Sequence, residues 1–397
     1  MEISSRTPDQ AGLQTQTSVP MLDLKRQYAA IHSELLEALA RVLETQQFIL
    51  GGEVAAFEQI AARKLGVSHV LGCSSGTDAL WLALAATGVG PGQTVVTTPF
   101  SFFASVSSIL RVGAVPVLAD IDPGSFNLSP AAVRAAFAGP HGRGARAVLP
   151  VHLYGQTADW TEFSAIGREY GVTLIEDAAQ AWAAEWNGAT AGGLGNIAAF
   201  SLYPTKNLSA AGDAGLVSTN SEELAERVKM LRQHGMRRRY YHEELGWNAR
   251  MDGFQGAVLQ VKLKYIDSWT EMRRQVAARY DGLFAKVGLN EDGPYPVRGV
   301  VLPRERPGAK HVWHQYTIRV QRRDALRRFL TSRGIGSEIF YPVPLHLQEA
   351  LKGLGYNKGD FPEAERAALE VLSLPIFPEL REDEQQTVVT AIAEFLS

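Results

Sequence analysis

Lys206 lies in the run Ser201-Leu202-Tyr203-Pro204-Thr205-Lys206-Asn207-Leu208, downstream of Leu174-Ile175-Glu176-Asp177-Ala178-Ala179-Gln180. The first run reads as a strand entering a loop that carries one lysine. The second reads as an apolar strand ending on a carboxylate. A lysine that forms a Schiff base, with an aspartate that holds a pyridinium nitrogen, is a protein's contribution to pyridoxal phosphate (PLP) chemistry. If Lys206 and Asp177 face one pocket, the pair predicts an enzyme that moves amino groups.

Phe200 and Leu202 give Lys206 an apolar approach, and the small residues from Asn207 to Gly215 turn the chain into another strand. Desolvation and a nearby cation would depress the amine's pKa and favour the neutral nucleophile. Against this stands the general habit of lysines to be solvated. Asp177 can anchor a ring nitrogen through a charge-assisted hydrogen bond that keeps the ring an electron sink. An aspartate capping the next helix would look the same. Gln180 follows three residues later, where its amide could reach a phenolic oxygen or simply meet solvent.

Gly72-Cys73-Ser74-Ser75-Gly76-Thr77-Asp78-Ala79-Leu80 puts small residues between a strand and a helix. Free backbone amides and the positive dipole end suit a phosphate there, with Gly76 allowing close approach and Thr77 adding a hydroxyl. An ordinary helix cap in a tight turn uses the same residue types. Ser201 could supply another phosphate ligand or be a plain strand serine. Phe102, in Pro99-Phe100-Ser101-Phe102-Phe103-Ala104, is a candidate to stack on the pyridine ring, though an aromatic-rich junction also suits a core.

These residues need a scaffold. Strand patterns at 69–72, 94–98, 115–120, 145–151, 173–176, 198–202 and 215–219 alternate with helical patterns at 77–86, 103–112, 130–138, 160–170 and 221–234. Helices are also expected over 22–50 and 53–65. The alternation predicts an α/β fold with a mostly parallel seven-stranded sheet covered by helices on both faces. Ligands in such sheets sit beyond the carboxyl ends of the strands, where the motifs above fall. A long helical stretch over 252–284 precedes expected strands at 312–320 and 335–340 and helices at 324–333 and 383–395. That pattern predicts a smaller α+β C-terminal domain. We divide the chain into a flexible leader (1–20), a large domain (21–265) and a small domain (266–397).

Composition narrows the function classes. The 397 residues are 46% hydrophobic with a net charge of −3, which gives no general attraction to nucleic acid or anionic membranes. Cys73 is the only cysteine, excluding an internal disulfide and a cysteine-based zinc site. Neither a signal peptide nor a membrane helix is visible, and a cytoplasmic location is expected.

The chain resembles the DegT/DnrJ/EryC1/StrS sugar aminotransferases, a family of fold-type-I PLP enzymes. The resemblance runs from about Met21 to the C-terminus and rests on ordered motifs. They include Phe48-Ile49-Leu50-Gly51-Gly52-Glu53, Gly76-Thr77-Asp78-Ala79-Leu80, Glu176-Asp177-Ala178-Ala179-Gln180-Ala181 and Lys206-Asn207-Leu208. Gly246-Trp247-Asn248-Ala249-Arg250-Met251-Asp252, Tyr341-Pro342-Val343-Pro344-Leu345-His346 and Leu372-Ser373-Leu374-Pro375 continue the series.

The resemblance implies that Lys206 carries the cofactor, Asp177 pairs with its ring nitrogen and Gln180 lies near its ring oxygen. It also implies that Gly76, Thr77 and Ser201 hold the phosphate, Phe102 stacks on the ring, and Asn248 comes from the partner subunit of a homodimer. The acceptor would be a nucleotide-linked ketosugar and the donor glutamate, in a ping-pong cycle through pyridoxamine phosphate. Arg237 and Tyr241 are candidate diphosphate or nucleotide contacts, though a solvated charged loop would read the same way. His314 and His346 are candidate sugar contacts or structural histidines. The Arg237–Tyr241 region with His242 suggests a 3-keto sugar. Two positions depart from the family pattern: Trp182, where many members carry histidine and which is expected at the pocket wall, and Ala211, in place of a glycine. Alternatives are a PLP- or pyridoxamine-dependent sugar dehydratase, a branch that replaces the lysine with histidine, a keto-cyclitol aminotransferase, and a non-enzymatic PLP sensor.

Overall fold

A computed structural model describes residues 18–397. The strands are His69–Cys73 (β1), Thr94–Thr97 (β2), Val115–Leu118 (β3), Ala147–Val148 (β4), Thr173–Asp177 (β5), Glu185–Trp186 (β6), Ala189–Thr190 (β7), Ile197–Ser201 (β8) and Gly215–Thr219 (β9). A surface hairpin, Met236–Arg238 (β10) and Tyr241–His242 (β11), is followed by Ala309–Lys310 (β12), Tyr316–Arg319 (β13) and Val371–Leu374 (β14). The seven expected strands form one sheet in the order β1-β9-β8-β5-β4-β2-β3. β9 runs antiparallel to both its neighbours, and the other pairings are parallel.

Helices Ala104–Arg111 (α4), Pro130–Ala138 (α5), Trp160–Tyr170 (α6), Glu222–Leu231 (α7) and Arg323–Ser332 (α10) lie between successive strands. Residues on β8 explain why the sheet is covered twice. Ile197 and Ala199 enter one hydrophobic cluster while Ala198 and Phe200 enter another on the opposite face. A period of two with both faces apolar is the signature of a strand buried from both sides. Helix α3 (Gly76–Ala86) is buried from Ala79 to Leu84 and packs on β8 and β9, whereas α1 (Leu24–Thr45), α2 (Gly51–Leu65) and α8 (Gly253–Leu263) cover the other face.

Three expected elements differ. The helical pattern over 252–284 is two helices, α8 and α9 (Ile266–Lys286). At the break, Lys264 and Tyr265 donate to carbonyls three residues back, a tightened turn, and both side chains are drawn to Glu34 of α1. The 22–50 pattern ends at Thr45, because Gln46 and Leu50 both adopt positive φ. The segment 335–340 makes only isolated bridges, Ile335 to Val19 and Glu338 to Ser373. The unanticipated β14 pairs with β13 instead, after the equally unanticipated helix Pro362–Glu370 (α11).

Residues 1–17 of the expected leader lie outside the described residues. Its last residues are part of the fold: Val19 is fully buried and exchanges backbone hydrogen bonds with Gly334 and Gly336. Arg26 then binds Glu384 of the last helix, α12 (Glu382–Leu396), through two guanidinium nitrogens at 2.6 and 2.8 Å. Among the described residues no helix is long and apolar enough to cross a membrane.

Candidate active site

The carboxyl ends of β1, β5 and β8 open onto a cavity of about 570 Å³, within the ~300–1,000 Å³ typical of small-molecule sites. Gly76, Thr77, Phe102, Asp177, Gln180, Ser201, Lys206 and His314 all line it. Eight residues drawn from five separate stretches of sequence converge there.

Asp177 ends β5, anchored by its own N–H to Pro150 and by its carbonyl to the N–H of His152. One carboxylate oxygen accepts from Ser105 at 2.7 Å and the other from the Ala179 N–H at 3.2 Å. Because the Ser105 proton goes to Asp177, Ser101 must donate to Ser105 across their 2.9 Å contact. Burial pushes the Asp177 carboxyl up from its usual range, while Ser105, Ala179 and the positive charge of Lys206 oppose that rise. A cation seated beside this buried carboxylate would favour its ionised form. The preceding Glu176 faces away and is satisfied by His152 and the backbone N–H groups of Gly192, Leu194 and Gly195, which pins the strand end.

Lys206 follows a turn closed by its N–H to Tyr203, and its side chain keeps part of its surface open to the cavity. Desolvation by the surrounding protein lowers its amine to about 8, against a smaller upward pull from Asp177. The next residue fixes the loop: Asn207 donates to the Val312 carbonyl at 2.8 Å and faces His314 Nδ1 at 3.1 Å. Since the amide oxygen is the end that meets His314, Nδ1 carries the imidazole proton. Burial and the charge of Lys206 keep this histidine neutral.

The β1–α3 turn forms the opposite wall. Ser75 caps α3 by accepting from the Asp78 N–H, so the helix starts with Gly76 and Thr77 at the cavity. A Cβ on Gly76 would lie 2.6 Å from Cβ of Ser201, and one on Gly215 would lie 2.2 Å from the Ser75 carbonyl oxygen. Glycine at both positions lets the helix terminus press against the end of β8 and the start of β9. The result is a cradle of free amides and hydroxyls suited to a phosphate. Phe102 is 57% exposed on the wall, as a ring waiting to cover an aromatic ligand would be. The donor set fits PLP: an amine, a carboxylate for the ring nitrogen, a phosphate cradle and an aromatic face.

Sequence reasoning did not single out Tyr341, Ser105 or Ser101, which also line the cavity. Tyr341 was visible only as part of the Tyr-Pro-Val-Pro run. The two serines sit one helical turn apart, a spacing that marks them only once Asp177 is known to lie opposite.

Other expected residues lie elsewhere. His346 is buried against Glu365, 3.0 Å from Nε2, and the ring of Phe361, outside the cavity lining. Trp182 is not at the pocket wall; it is buried edge-on against Phe200. Arg237 pairs with Glu243, and Arg238 covers the Tyr241 ring on the exposed β10–β11 hairpin. Asn248 is exposed beside that hairpin, its side-chain oxygen accepting from Arg250. None of these residues lines the cavity of its own chain.

Residues 29–393 match the DegT/DnrJ/EryC1/StrS aminotransferase family. A Geobacillus stearothermophilus protein called the pleiotropic regulatory protein is 48% identical over 378 residues, spanning 95% of this chain and 98% of its own length. A dTDP-3-amino-3,4,6-trideoxy-alpha-D-glucose transaminase of Streptomyces venezuelae is 41% identical over 377 residues, spanning 95% of this chain and 96% of its own. The crystal structure of S. venezuelae DesV in complex with a ketimine intermediate aligns with a TM-score of 0.90 at 41% identity, over 96% of this chain and 99% of that one. With sequence, fold and site geometry in agreement, the chain belongs to the PLP-dependent DegT/DnrJ/EryC1/StrS aminotransferase family.

Proposed function

We propose that this protein transfers an amino group from glutamate to the keto carbon of a sugar linked to a nucleoside diphosphate. It would work as a homodimer in which each cavity is completed by the other copy. The observation that carries the reading is the convergence of Lys206 and Asp177 on one cavity, with the amine desolvated and the carboxylate buried. PLP bound there supplies the electron sink that labilises a hydrogen on the carbon bearing the amino group. The chain's own residues do the rest. Asp177 holds negative charge in a dry setting where a ring N–H⁺ would be its natural partner. Lys206 Nζ, lowered to about 8, is partly unprotonated near neutral pH and can take a proton from one carbon and return it to another. The start of α3 and Ser201 hold phosphate away from the reacting end.

The name of the Streptomyces relative supports a sugar aminated at carbon 3, in line with the expectation from the Arg237–Tyr241 region. The exposed hairpin and Asn248 support the dimeric part of the proposal: they offer cationic, aromatic and amide groups that their own cavity does not use. The regulatory name of the Geobacillus relative gives weight to the sensor alternative. The name of the Streptomyces relative, a transaminase, supports chemistry over sensing.

The test is to load the purified protein with PLP, add glutamate and measure 2-oxoglutarate. UDP- and dTDP-linked 3- and 4-ketosugars are then screened for amine formation. No 2-oxoglutarate from glutamate in the presence of any ketosugar would refute the proposal.

A further inference from the structure

We infer that Tyr341 is a cofactor-binding residue: its hydroxyl and the side-chain amide of Gln180 form a donor pair for the phenolic oxygen of the bound pyridine ring. The inference rests on the reading of this chain as a PLP enzyme.

The orientation of Gln180 is not free. Its Oε1 accepts from the Tyr154 N–H at 2.7 Å, so Nε2 must point the other way, where it donates to the Tyr341 hydroxyl oxygen at 3.1 Å. That hydroxyl is therefore already an acceptor, and among the described residues no side chain or carbonyl takes its proton. Nε2 likewise keeps a second N–H. Two donor atoms 3.1 Å apart can both reach one oxygen at ordinary hydrogen-bond distance. Both residues line the cavity that holds Lys206 and Asp177.

Tyr341 is also held still. Its ring meets Phe100 at 6.4 Å, Phe102 at 6.3 Å and Phe340 at 5.8 Å between centroids. The carbonyl of Phe340 accepts from the Tyr154 hydroxyl, and the Leu345 N–H donates to Pro99 at 2.7 Å. The segment is thereby tied to the loop that carries Phe102. Burial and the neighbouring charge of Asp177 keep the phenol protonated, so it serves as a donor. A pyridine with its nitrogen at Asp177 and its phosphate at Gly76 and Thr77 has one polar ring substituent left beside the aldehyde carbon. Gln180 and Tyr341 are a paired donor set that neither of those contacts uses.

Donors at that oxygen stabilise its anionic form, so removing one makes the lysine-linked cofactor hold its proton to higher pH. The experiment is a pH titration of the visible absorbance of PLP-loaded protein, with cofactor affinity and thermal unfolding measured alongside. In Tyr341→Phe the aromatic packing survives. Its absorbance midpoint should rise by about one pH unit and its affinity for PLP should fall roughly tenfold, the effect of one hydrogen bond to a charged group. Gln180→Leu removes the other donor and should move the midpoint in the same direction. An unshifted midpoint in either folded variant overturns the inference. Wild-type protein that develops no visible absorbance with PLP would instead overturn the proposed function.

Discussion

Replacing Lys206 by methionine should abolish amino transfer and at the same time stabilise the cofactor-free protein at neutral pH. Methionine keeps much of the side chain's volume and removes the charge. Burial lowers the amine from 10.5 to about 8. At ~1.4 kcal/mol per unit, that depression corresponds to about 3 kcal/mol of strain on the charged form. Part of the gain is offset because the Lys206 charge also favours ionised Asp177, so about 1–3 kcal/mol should remain. The pH dependence follows from the direction of the shift. Below pH 8 the amine is charged in both the folded and unfolded states, and the folded state bears the whole cost. Between about 8 and 10.5 the folded protein has released a proton that the unfolded chain still binds, so stability rises with pH; above 10.5 the cost is gone. Urea unfolding of the two cofactor-free proteins at pH 7 and pH 10.5 gives the comparison. The variant should be the more stable at the lower pH and nearly equal to wild type at the higher. Equal stability at pH 7, or a gain that does not shrink with pH, would refute the account of a desolvated amine.

Gly76→Ala should destabilise the protein by about 1–3 kcal/mol, since its Cβ would stand 2.6 Å from that of Ser201. Its affinity for PLP should also fall, and a binding titration at wild-type affinity would remove the phosphate cradle from the site. Asp177→Asn should slow the glutamate half-reaction roughly 10- to 100-fold, the loss of one charge-assisted hydrogen bond, without destabilising the cofactor-free protein. Stopped-flow absorbance measures the rate, and an unchanged rate would mean the ring nitrogen is held elsewhere. Lys206→Ala and Asn248→Ala, each inactive alone, should regain up to about a quarter of wild-type activity when mixed and allowed to exchange subunits, because each hybrid dimer contains one intact site. No recovery would place Asn248 with its own chain's cavity.

The central sheet was legible because each strand is a short apolar run bounded by small or polar residues, and β8 alternates between two cores. Lys206 and Asp177 were legible from their settings: Asp177 closes an apolar strand, and Lys206 is the one lysine of a loop that follows another. What the sequence hid depended on distant partners. At the break between α8 and α9, Lys264 and Tyr265 both meet Glu34, more than two hundred residues away. Segment 335–340 has strand-like residues, yet Ser373 and its strand pair with β13, leaving only single bridges. Tyr341 became a site residue only when Tyr154 was seen to fix which way Gln180 points. Trp182 was expected at the wall, but its side chain turns to the far side of the sheet and packs on Phe200.

The clasp of Val19 on Gly334 and Gly336, and of Arg26 on the last helix, bears on how the protein is made. Arg26 and Glu384 are 358 residues apart. At ~5–20 residues per second, a ribosome needs roughly 20–70 s to deliver the partner after the arginine. Val19 gains its partners Gly334 and Gly336 only late in that interval and Glu384 reaches Arg26 last of all, whereas the sheet that carries Asp177 is complete in sequence at Thr219, about halfway through. The catalytic half is thus synthesised well before the chain can fasten its two ends. A nascent chain stalled short of α12 would hold every residue of the Lys206–Asp177 pair and still lack its final closure.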